Sequence, residues 1–202
     1  MAQVSVLVSV VSVTVMTSTL DPWSALQASG AGEKGADVSG RSGYRARMSL
    51  VRRATPEDAE EVLRLRQVMI DSMARSDPST AWHAVSLPVL RERLADDLSF
   101  AAFVVDHPER PGALAALVAG TLDYRIGGAR NPRGTDGYVF SVATDPDARR
   151  RGYARACVGA LLEWFRERGA GRVRLTASPE AEPLYRSLGF TPRPDPLLEL
   201  ML

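Results

Sequence analysis

Cysteine and histidine are scarce in this 202-residue chain, which holds one Cys and two His. A single cysteine excludes an internal disulfide framework and is typical of a reducing compartment, so we expect a cytoplasmic protein. His83 and His107 are too few and too far apart in the sequence to indicate a metal site, and we expect no metal ion. Cys157 falls on the apolar face of a predicted helix, whereas catalytic thiols need an exposed, electropositive setting. We therefore predict that Cys157 is a core residue.

An excess of charge of one sign is also missing, because 25 Lys and Arg residues face 24 Asp and Glu residues. Domains that bind nucleic acid are usually strongly basic, so a net charge of +1 gives no reason to expect such a partner. Hydrophobic residues make up 45% of the chain, which is enough for the core of one domain. Any positive site must then be local, and the run Arg149, Arg150 and Arg151 is the clearest candidate.

The first 47 residues lack the features of an export or membrane segment. No basic residue precedes Lys34, whereas a secretory signal places a positive charge before its apolar core. The apolar run 4–16 is shorter than the roughly 20 residues of a membrane helix, so no membrane partner is expected. Residues 28–47 are rich in Gly and Ser, as in flexible linkers. We predict an extension over residues 1–47, either an upstream start-codon artefact or an added strand or partner-binding tail, and a domain over residues 48–202.

Helix signals dominate the start of that domain. Thr55 at an N-cap and Pro56 at the first helical position open a helix whose apolar residues recur at helical spacing. A second, less regular helical region covers residues 76–97. Pro88 is expected to break this region or to start its last helix, because proline removes a helical hydrogen bond.

Strand signals follow, and they give a mixed α+β fold. The longest predicted strand, 113–126, is expected to bend near Gly120. The loop 127–137 follows it. The other predicted elements are strands at 49–54, 99–106, 138–144, 172–177 and 196–202, a helix after Gly152, and a short helix that ends at Gly189.

The stretch TDPDARRRGYARA, residues 144–156, places three arginines where a strand feeds a turn and a helix begins. Positive side chains are poor neighbours for the positive end of a helix dipole, so something negative is expected there. The first N–H groups of a helix have no partner within it and form an anion site. Gly152 lets a ligand approach the backbone, Ala154 keeps that approach open, and arginines pair with phosphate. The stretch predicts a phosphate site that is neither a P-loop nor a dinucleotide-binding loop.

Two motifs together resemble those of the GCN5-related N-acetyltransferase (GNAT) family. The family's acetyl-CoA-binding signature, Q/R-x-x-G-x-G/A, is matched by Arg149, Gly152 and Ala154, and its upstream proline by Pro146. The family's second motif ends in L-Y-x-x-x-G-F and is matched by LYRSLGF, residues 184–190. The motifs stand in the family's order and at its spacing.

The resemblance covers residues 49–202 and none of residues 1–47. It implies the GNAT-type acyl-CoA N-acyltransferase fold, an α+β domain with a mixed, mostly antiparallel sheet flanked by helices. It also implies direct transfer of the acetyl group of the co-substrate acetyl-CoA to an amine, without a covalent enzyme intermediate and without a metal.

The resemblance assigns a role to each matched segment. The pyrophosphate of CoA would lie on the backbone N–H groups of residues 150–155, and the pantetheine arm along residues 142–144. A bulge there would splay this strand from strand 172–177. A backbone N–H near Val142 would polarise the thioester carbonyl, and Tyr185 would protonate the departing thiolate as general acid. The implied cofactor-binding residues are Val142, Ala143, Thr144, Arg149, Arg150, Arg151, Gly152, Tyr153, Ala154, Arg155 and Ser178.

Some points stay open in the sequence. Ser178 stands where the family usually has Asn, and its shorter reach predicts a weaker cofactor contact. The general base is not identified: Asp123, Tyr124, Asp136 and ordered water are candidates, and a water chain is the default. The acceptor cannot be identified, although the mildly basic loop 127–137 disfavours a polycationic one.

Two functions are compatible with these patterns. The first is an acetyl-CoA-dependent N-acetyltransferase that acts on a primary amine. The second is a module that binds or senses acyl-CoA without turnover, which the missing Asn and the unidentified base would explain. Homodimers are common in the family, and no residue of this chain decides its oligomeric state.

Overall fold

A computed structural model of the chain describes residues 48–73, 78–194, 198 and 200. These residues belong to one compact unit, Ser39–Leu202. The predicted extension 1–47 lies outside the described residues, and so does the predicted strand 196–202 apart from Leu198 and Leu200.

Helices and strands follow one another in the predicted order up to the second motif. Short 3₁₀ turns at Pro56–Asp58 and Pro146–Ala148 introduce two of the helices. The described elements are β1 (Val51–Arg53), α1 (Ala59–Asp71), α2 (Trp82–Asp96), β2 (Phe100–Asp106), β3 (Leu114–Tyr124), β4 (Thr135–Thr144), α3 (Tyr153–Glu167), β5 (Arg172–Leu175) and α4 (Glu182–Arg186).

Within the described residues, five strands form one sheet in the order β1-β2-β3-β4-β5. The three pairs from β1 to β4 are antiparallel, whereas β4 and β5 run parallel. A parallel pair needs a crossover connection, and α3 supplies it. The sheet confirms the predicted mixed, mostly antiparallel α+β fold.

Helices cover both faces of the sheet because buried residues alternate along its strands. In β2, Ala101 and Val105 join the core that α3 covers, while Ala102 and Val104 join the core that α1 and α2 cover. Phe165 of α3 is fully buried. Each fully buried side chain of this size contributes about 1.5–3 kcal/mol.

Gly120 of β3 makes room for α3. A Cβ at this position would lie 2.7 Å from Cζ of Phe165, which is closer than real Cβ contacts. Gly120 pairs regularly with Val139, and the irregularity of β3 lies between Leu117 and Ala119. Close helix packing therefore explains this glycine, and the predicted bend near Gly120 stays a prediction.

Two predicted boundaries are wrong. Helix α2 continues through Pro88, which was expected to break it or start its last helix. Proline removes the hydrogen bond to the carbonyl of Ala84, but both residues are exposed, so water can replace that bond. The predicted loop 127–137 ends earlier than expected, because β4 begins at Thr135.

Candidate active site

Among the described strands, β4 has neighbours on both sides over its first half and on one side only over its second half. Its pairing with β5 ends at Val139, and no described strand covers the β5 side of residues 140–144. Ser141 has φ +52°, an uncommon left-handed conformation for a non-glycine residue. Between Leu117 and Ala119 of the neighbouring β3, β4 carries one extra residue, which makes a β-bulge. We call residues 135–139 the closed end of β4 and residues 140–144 its open end.

The chain between β4 and α3 forms a loop with free backbone donors. After the 3₁₀ turn, Arg150 at φ +62° and Gly152 at φ +80° both adopt the left-handed conformation. The N–H groups of residues 150–154 donate to no described residue, whereas the N–H of Ala156 donates to the Gly152 carbonyl at 3.1 Å. Successive free N–H groups at the start of a helix bind anions. The loop therefore has the geometry of an anion site.

A cavity of about 190 Å³ opens beside this loop. Ala148 and Leu184 contribute to its wall, and Leu184 precedes Tyr185 on α4, so the two sequence motifs meet here. The predicted cofactor residues that line this loop cavity are Thr144, Arg149, Arg150, Gly152, Tyr153, Ala154 and Arg155.

The three consecutive arginines differ in their partners. Nε of Arg149 donates to the Thr144 carbonyl at 3.4 Å. Arg151 forms an ion pair with Glu109 at 3.5 Å. Arg150 is exposed and makes no hydrogen bond or ion pair with any residue in the part of the chain that the structure describes. Of the three, Arg150 is thus the one whose charge is not engaged by the protein.

An ion-pair network fixes the turn before this loop. Asp145 is buried and lies 2.8 Å from both Arg64 of α1 and Arg110 of the β2–β3 turn. Burial alone would raise the pKa of Asp145, but hydrogen bonds from Arg110 and Arg64 lower it below its usual value. Nδ1 of His107 accepts a backbone N–H, so its Nε2–H donates to Asp147 at 3.0 Å. These contacts hold the loop in place before any ligand binds.

Tyr185, the predicted general acid, is buried in α4 with 6% of its surface exposed. Its ring lies edge to face with Phe190, the centroids being 5.9 Å apart. Burial raises the pKa of Tyr185 above its usual value, so the phenol stays protonated at neutral pH. Among the described residues its hydroxyl has no hydrogen-bond partner. Such a phenol can donate its proton to a bound ligand.

Ser178 is exposed at the turn before α4, where its carbonyl accepts the N–H groups of Ala181 and Glu182. The pKa of Glu180 is lowered by a hydrogen bond from its own backbone and by another from the Ser178 hydroxyl. Ser178 does not line the loop cavity. Its cofactor contact stays a prediction.

Asp136 is a structural residue at the closed end of β4. It is buried, and its carboxylate lies 2.6 Å from Arg172 and 3.0 Å from Arg174. The hydrogen bond from Arg172 holds the pKa of Asp136 below its usual value, so the Asp136 carboxylate is a weak base. Asp123 of β3 pairs in register with Asp136. Both residues therefore lie about 17 Å along the strand direction from Ser141. Neither carboxylate is placed to serve chemistry at the open end.

Tyr124 and Cys157 are also placed away from the bulge chemistry. Tyr124, 73% exposed, ends β3 beside the closed end of β4. Cys157 is buried in α3, and burial raises the pKa of its thiol to about 12, so the predicted core role is confirmed.

A second cavity, of about 330 Å³, lies on the other face of the sheet, under α1 and α2. Its wall includes Ser141 at the bulge and Arg66 of α1, whose Nη1 donates to the Ser141 hydroxyl. The guanidinium of Arg66 also lies over the ring of Trp82, 5.9 Å from its centroid. Sequence reasoning did not identify this group, although an arginine interrupting the apolar pattern of α1 was the available signal.

Comparison with known proteins identifies the family. Residues 68–190 match the sequence profile of the acetyltransferase (GNAT) family. A GCN5-related N-acetyltransferase from Ralstonia eutropha JMP134 is similar in structure, with 27% identity, a TM-score of 0.63, and coverage of 74% of this chain and 97% of that chain. A search of curated proteins finds no significant match.

Two other solved structures share the fold at lower identity. A predicted acetyltransferase from Clostridium acetobutylicum, determined with acetyl-CoA, has 22% identity and a TM-score of 0.64, covering 75% of this chain and 94% of that one. An aminoglycoside N-acetyltransferase in complex with CoA has 18% identity and a TM-score of 0.56, covering 75% and 93%.

Two kinds of feature are absent from the described residues. They hold no helix with the length and apolar content that crossing a membrane requires. They also contain no cluster of three or more His, Cys, Asp or Glu side chains that could hold a metal ion.

The profile match spans more than half of the chain, and the fold agrees with it. This chain belongs to the GNAT family of acetyltransferases.

Proposed function

We propose that this protein is a cytoplasmic, acetyl-CoA-dependent N-acetyltransferase that transfers an acetyl group directly to a primary amine. The observation that carries the proposal is the arrangement around the open end of β4. Within the described part of the chain, a strand edge without a partner, a bulge and a loop of free N–H groups occur in one continuous segment, residues 140–154. Membership of the GNAT family by itself indicates the class of reaction, whereas this arrangement is an observation on the chain's own residues.

The loop fits the pyrophosphate of CoA. The free N–H groups of residues 150–154 and the positive end of α3 offer donors and potential to an anion. Arg150 adds a charge that no described residue neutralises. An anion would therefore complete a site whose free N–H groups and Arg150 have no partner among the described residues.

The open end of β4 fits the pantetheine arm. Beyond Val139 its outer edge has lost β5 as a partner, so residues 142–144 can pair with an extended ligand as an added strand would. We assign a backbone N–H near Val142 the role of hydrogen-bond donor to the thioester oxygen. The Ser141 bulge reorients the backbone next to that position.

Acetyl-CoA supplies a thioester, whose carbonyl carbon the acceptor amine attacks as the C–S bond breaks. Tyr185 is held protonated by burial and donates its proton to the sulfur. The proton that the amine loses passes to water, because the cavity wall beside the bulge contains no Asp, Glu or His. Water later restores the proton of Tyr185.

The second candidate is a module that binds acyl-CoA without turnover. The position of Ser178 favours it, since this substitute for the family's Asn is exposed and bonded to Glu180. The two candidates agree on binding and differ on catalysis.

Two measurements on the wild-type protein test the proposal. Isothermal titration is expected to show acetyl-CoA binding, and a thiol-detecting assay to show amine-dependent release of CoA across a panel of primary amines. Binding together with no release for any amine would support the binding module. Absence of acetyl-CoA binding would overturn both candidates.

A further inference from the structure

The cavity under α1 and α2 lies on the opposite face of the sheet from the loop cavity. The loop cavity reaches β4 at Thr144, and the second cavity reaches it at Phe140 and Ser141. Three residues of strand span about 10 Å, so both cavities open onto the same short segment. If acetyl-CoA lies along that segment, as the proposed function requires, the second cavity is where the acceptor reaches the thioester.

The walls of this cavity are largely apolar and aromatic. Phe100 and Phe140 lie on its sheet side, and Trp82 on its helix side. Val85 and Val89 of α2 also line it while remaining 75% and 53% exposed. A volume of about 330 Å³ with such walls suits a small organic molecule with an apolar body.

The charged groups of the wall are all positive. Arg66 and Arg93 line the cavity, and its wall has no Asp or Glu. Arg93 lies 4.0 Å from Asp97, and its guanidinium lies over the ring of Phe100, 5.9 Å from the centroid. Arg66 is half-buried and pairs with no carboxylate in residues 48–73, 78–194, 198 and 200. A half-buried guanidinium that lacks a protein counter-charge points to an anionic ligand group.

The neighbouring Arg64, by contrast, has carboxylate partners. Two residues earlier on the same helix, Arg64 lies 2.7 Å from Glu61 and 2.8 Å from Asp145. The described residues thus supply carboxylates to Arg64 and none to Arg66. Arg66 also precedes the range 68–190 that matches the family profile, so the family match assigns it nothing.

The contact of Arg66 with Ser141 locates the anion relative to the reaction. Ser141 is adjacent to Val142, near which the proposed function places the donor to the thioester oxygen. An acceptor whose carboxylate meets Arg66 must therefore hold its amine close to that carboxylate. We infer that the acceptor is a free α-amino acid with an apolar or aromatic side chain, its carboxylate bound by Arg66 and its side chain lodged against Trp82, Phe100 and Phe140.

Matched ligand pairs test this inference. L-phenylalanine and 2-phenylethylamine share the amine and the ring but differ in the carboxylate, and L-tryptophan and tryptamine form a second pair. We expect the carboxylated member of each pair to be favoured at least about 10-fold, in kcat/KM for CoA release and in affinity for the CoA-saturated protein. The polycation kanamycin is expected to be a poorer acceptor than either amino acid.

Variants assign the preference to one side chain. Arg66→Gln is expected to remove the preference by weakening only the carboxylated ligands, while Arg66→Lys keeps part of it because the charge remains. Arg91→Gln, on the exposed side of α2 where Arg91 pairs with Glu60, is the control of equal charge change and should alter nothing. A melting curve for each variant shows whether it is folded.

The outcomes separate this inference from the proposed function. Equal use of phenylalanine and phenylethylamine, no binding of the carboxylated ligands, better use of kanamycin, or equal weakening of both ligand classes by Arg66→Gln would each overturn the inference while leaving acetyl transfer intact. A carboxylate preference in binding, lost in Arg66→Gln but without CoA release, would support amino-acid binding by Arg66 and count against turnover.

Discussion

The polar and charged groups at the two ends of strand β4 differ in whether the protein supplies their partners. At the closed end, buried Asp136 is satisfied within the protein by Arg172, Arg174 and Asn131. At the open end, the free N–H groups of residues 150–154 and two arginines, Arg66 and Arg150, have no anionic partner among the described residues. One strand therefore contains both a completed structural site and a site that a ligand must complete.

This contrast predicts which substitutions lower the stability of the protein and which lower ligand affinity or rate. Neutralising a charge at the closed end breaks internal pairs and should cost folding free energy. The same kind of change at the open end should cost ligand affinity or rate, with little loss of stability. Each variant below tests one side of this contrast.

The largest effect is expected for Tyr185→Phe. Loss of the phenolic proton donor should lower kcat by about 10²–10⁴-fold while acetyl-CoA affinity stays the same. Steady-state kinetics and titration measure the two quantities, and Tyr124→Phe, at an exposed position beside the closed end, is the control. Because burial raises the pKa of Tyr185, wild-type kcat should not fall between pH 7 and about pH 10 through loss of this proton. An unchanged kcat in Tyr185→Phe would remove the general acid from the account.

Gly152→Glu should weaken acetyl-CoA binding by about 100- to 1000-fold. The new carboxylate would repel the pyrophosphate by roughly 3–4 kcal/mol at about 5 Å, and position 152 has φ +80°, which disfavours side chains. Gly169→Glu is the matched control, since Gly169 also has positive φ, +73°, but lies past the other end of α3. Similar affinities for the two variants would contradict the placement of the pyrophosphate.

Asp136→Asn should lower the free energy of unfolding by about 2–3 kcal/mol, because Arg172 and Arg174 lose their counter-charge. The folded-state pKa of Asp136 is depressed, so its contribution is present above an unfolded value of about 4 and is lost as pH falls. Urea unfolding should therefore separate the variant from wild type at pH 7 and less so near pH 3. A large drop in kcat of the folded variant would instead revive Asp136 as a base.

The smallest effect is expected for Arg150→Gln, about 10-fold in acetyl-CoA affinity and none in stability. Arg150 has an unengaged charge, whereas Arg149 is bonded to the Thr144 carbonyl, so Arg149→Gln should affect affinity less. Arg166→Gln, which changes an arginine of α3 paired with Glu163, is the control. Titration at two salt concentrations checks the electrostatic origin.

The loop between β4 and α3 could be predicted because its residues are contiguous. Arg149, Gly152 and Ala154 follow one strand directly, so a local pattern indicates both the loop and an anion site there. The order of elements and the mixed sheet followed from the same kind of short-range signal.

The cavity under α1 and α2 could not be predicted, because Arg66, Trp82 and Ser141 come from three separate elements. Only the packing of α1 and α2 on the sheet brings them together. Asp136 was placed in a loop and considered as a base for a similar reason, since its partner Arg172 lies on β5. Gly120 was explained by a bend because its contact with Phe165 is long-range.

Hydrogen exchange at individual amides tests the central claim most directly. The account predicts that CoA slows exchange at residues 150–154, whose N–H groups have no described partner in the free protein, and leaves residues 135–139 unchanged. Gly152→Glu should abolish this protection at the same CoA concentration. Saturating CoA that leaves residues 150–154 as exposed as before would contradict the account.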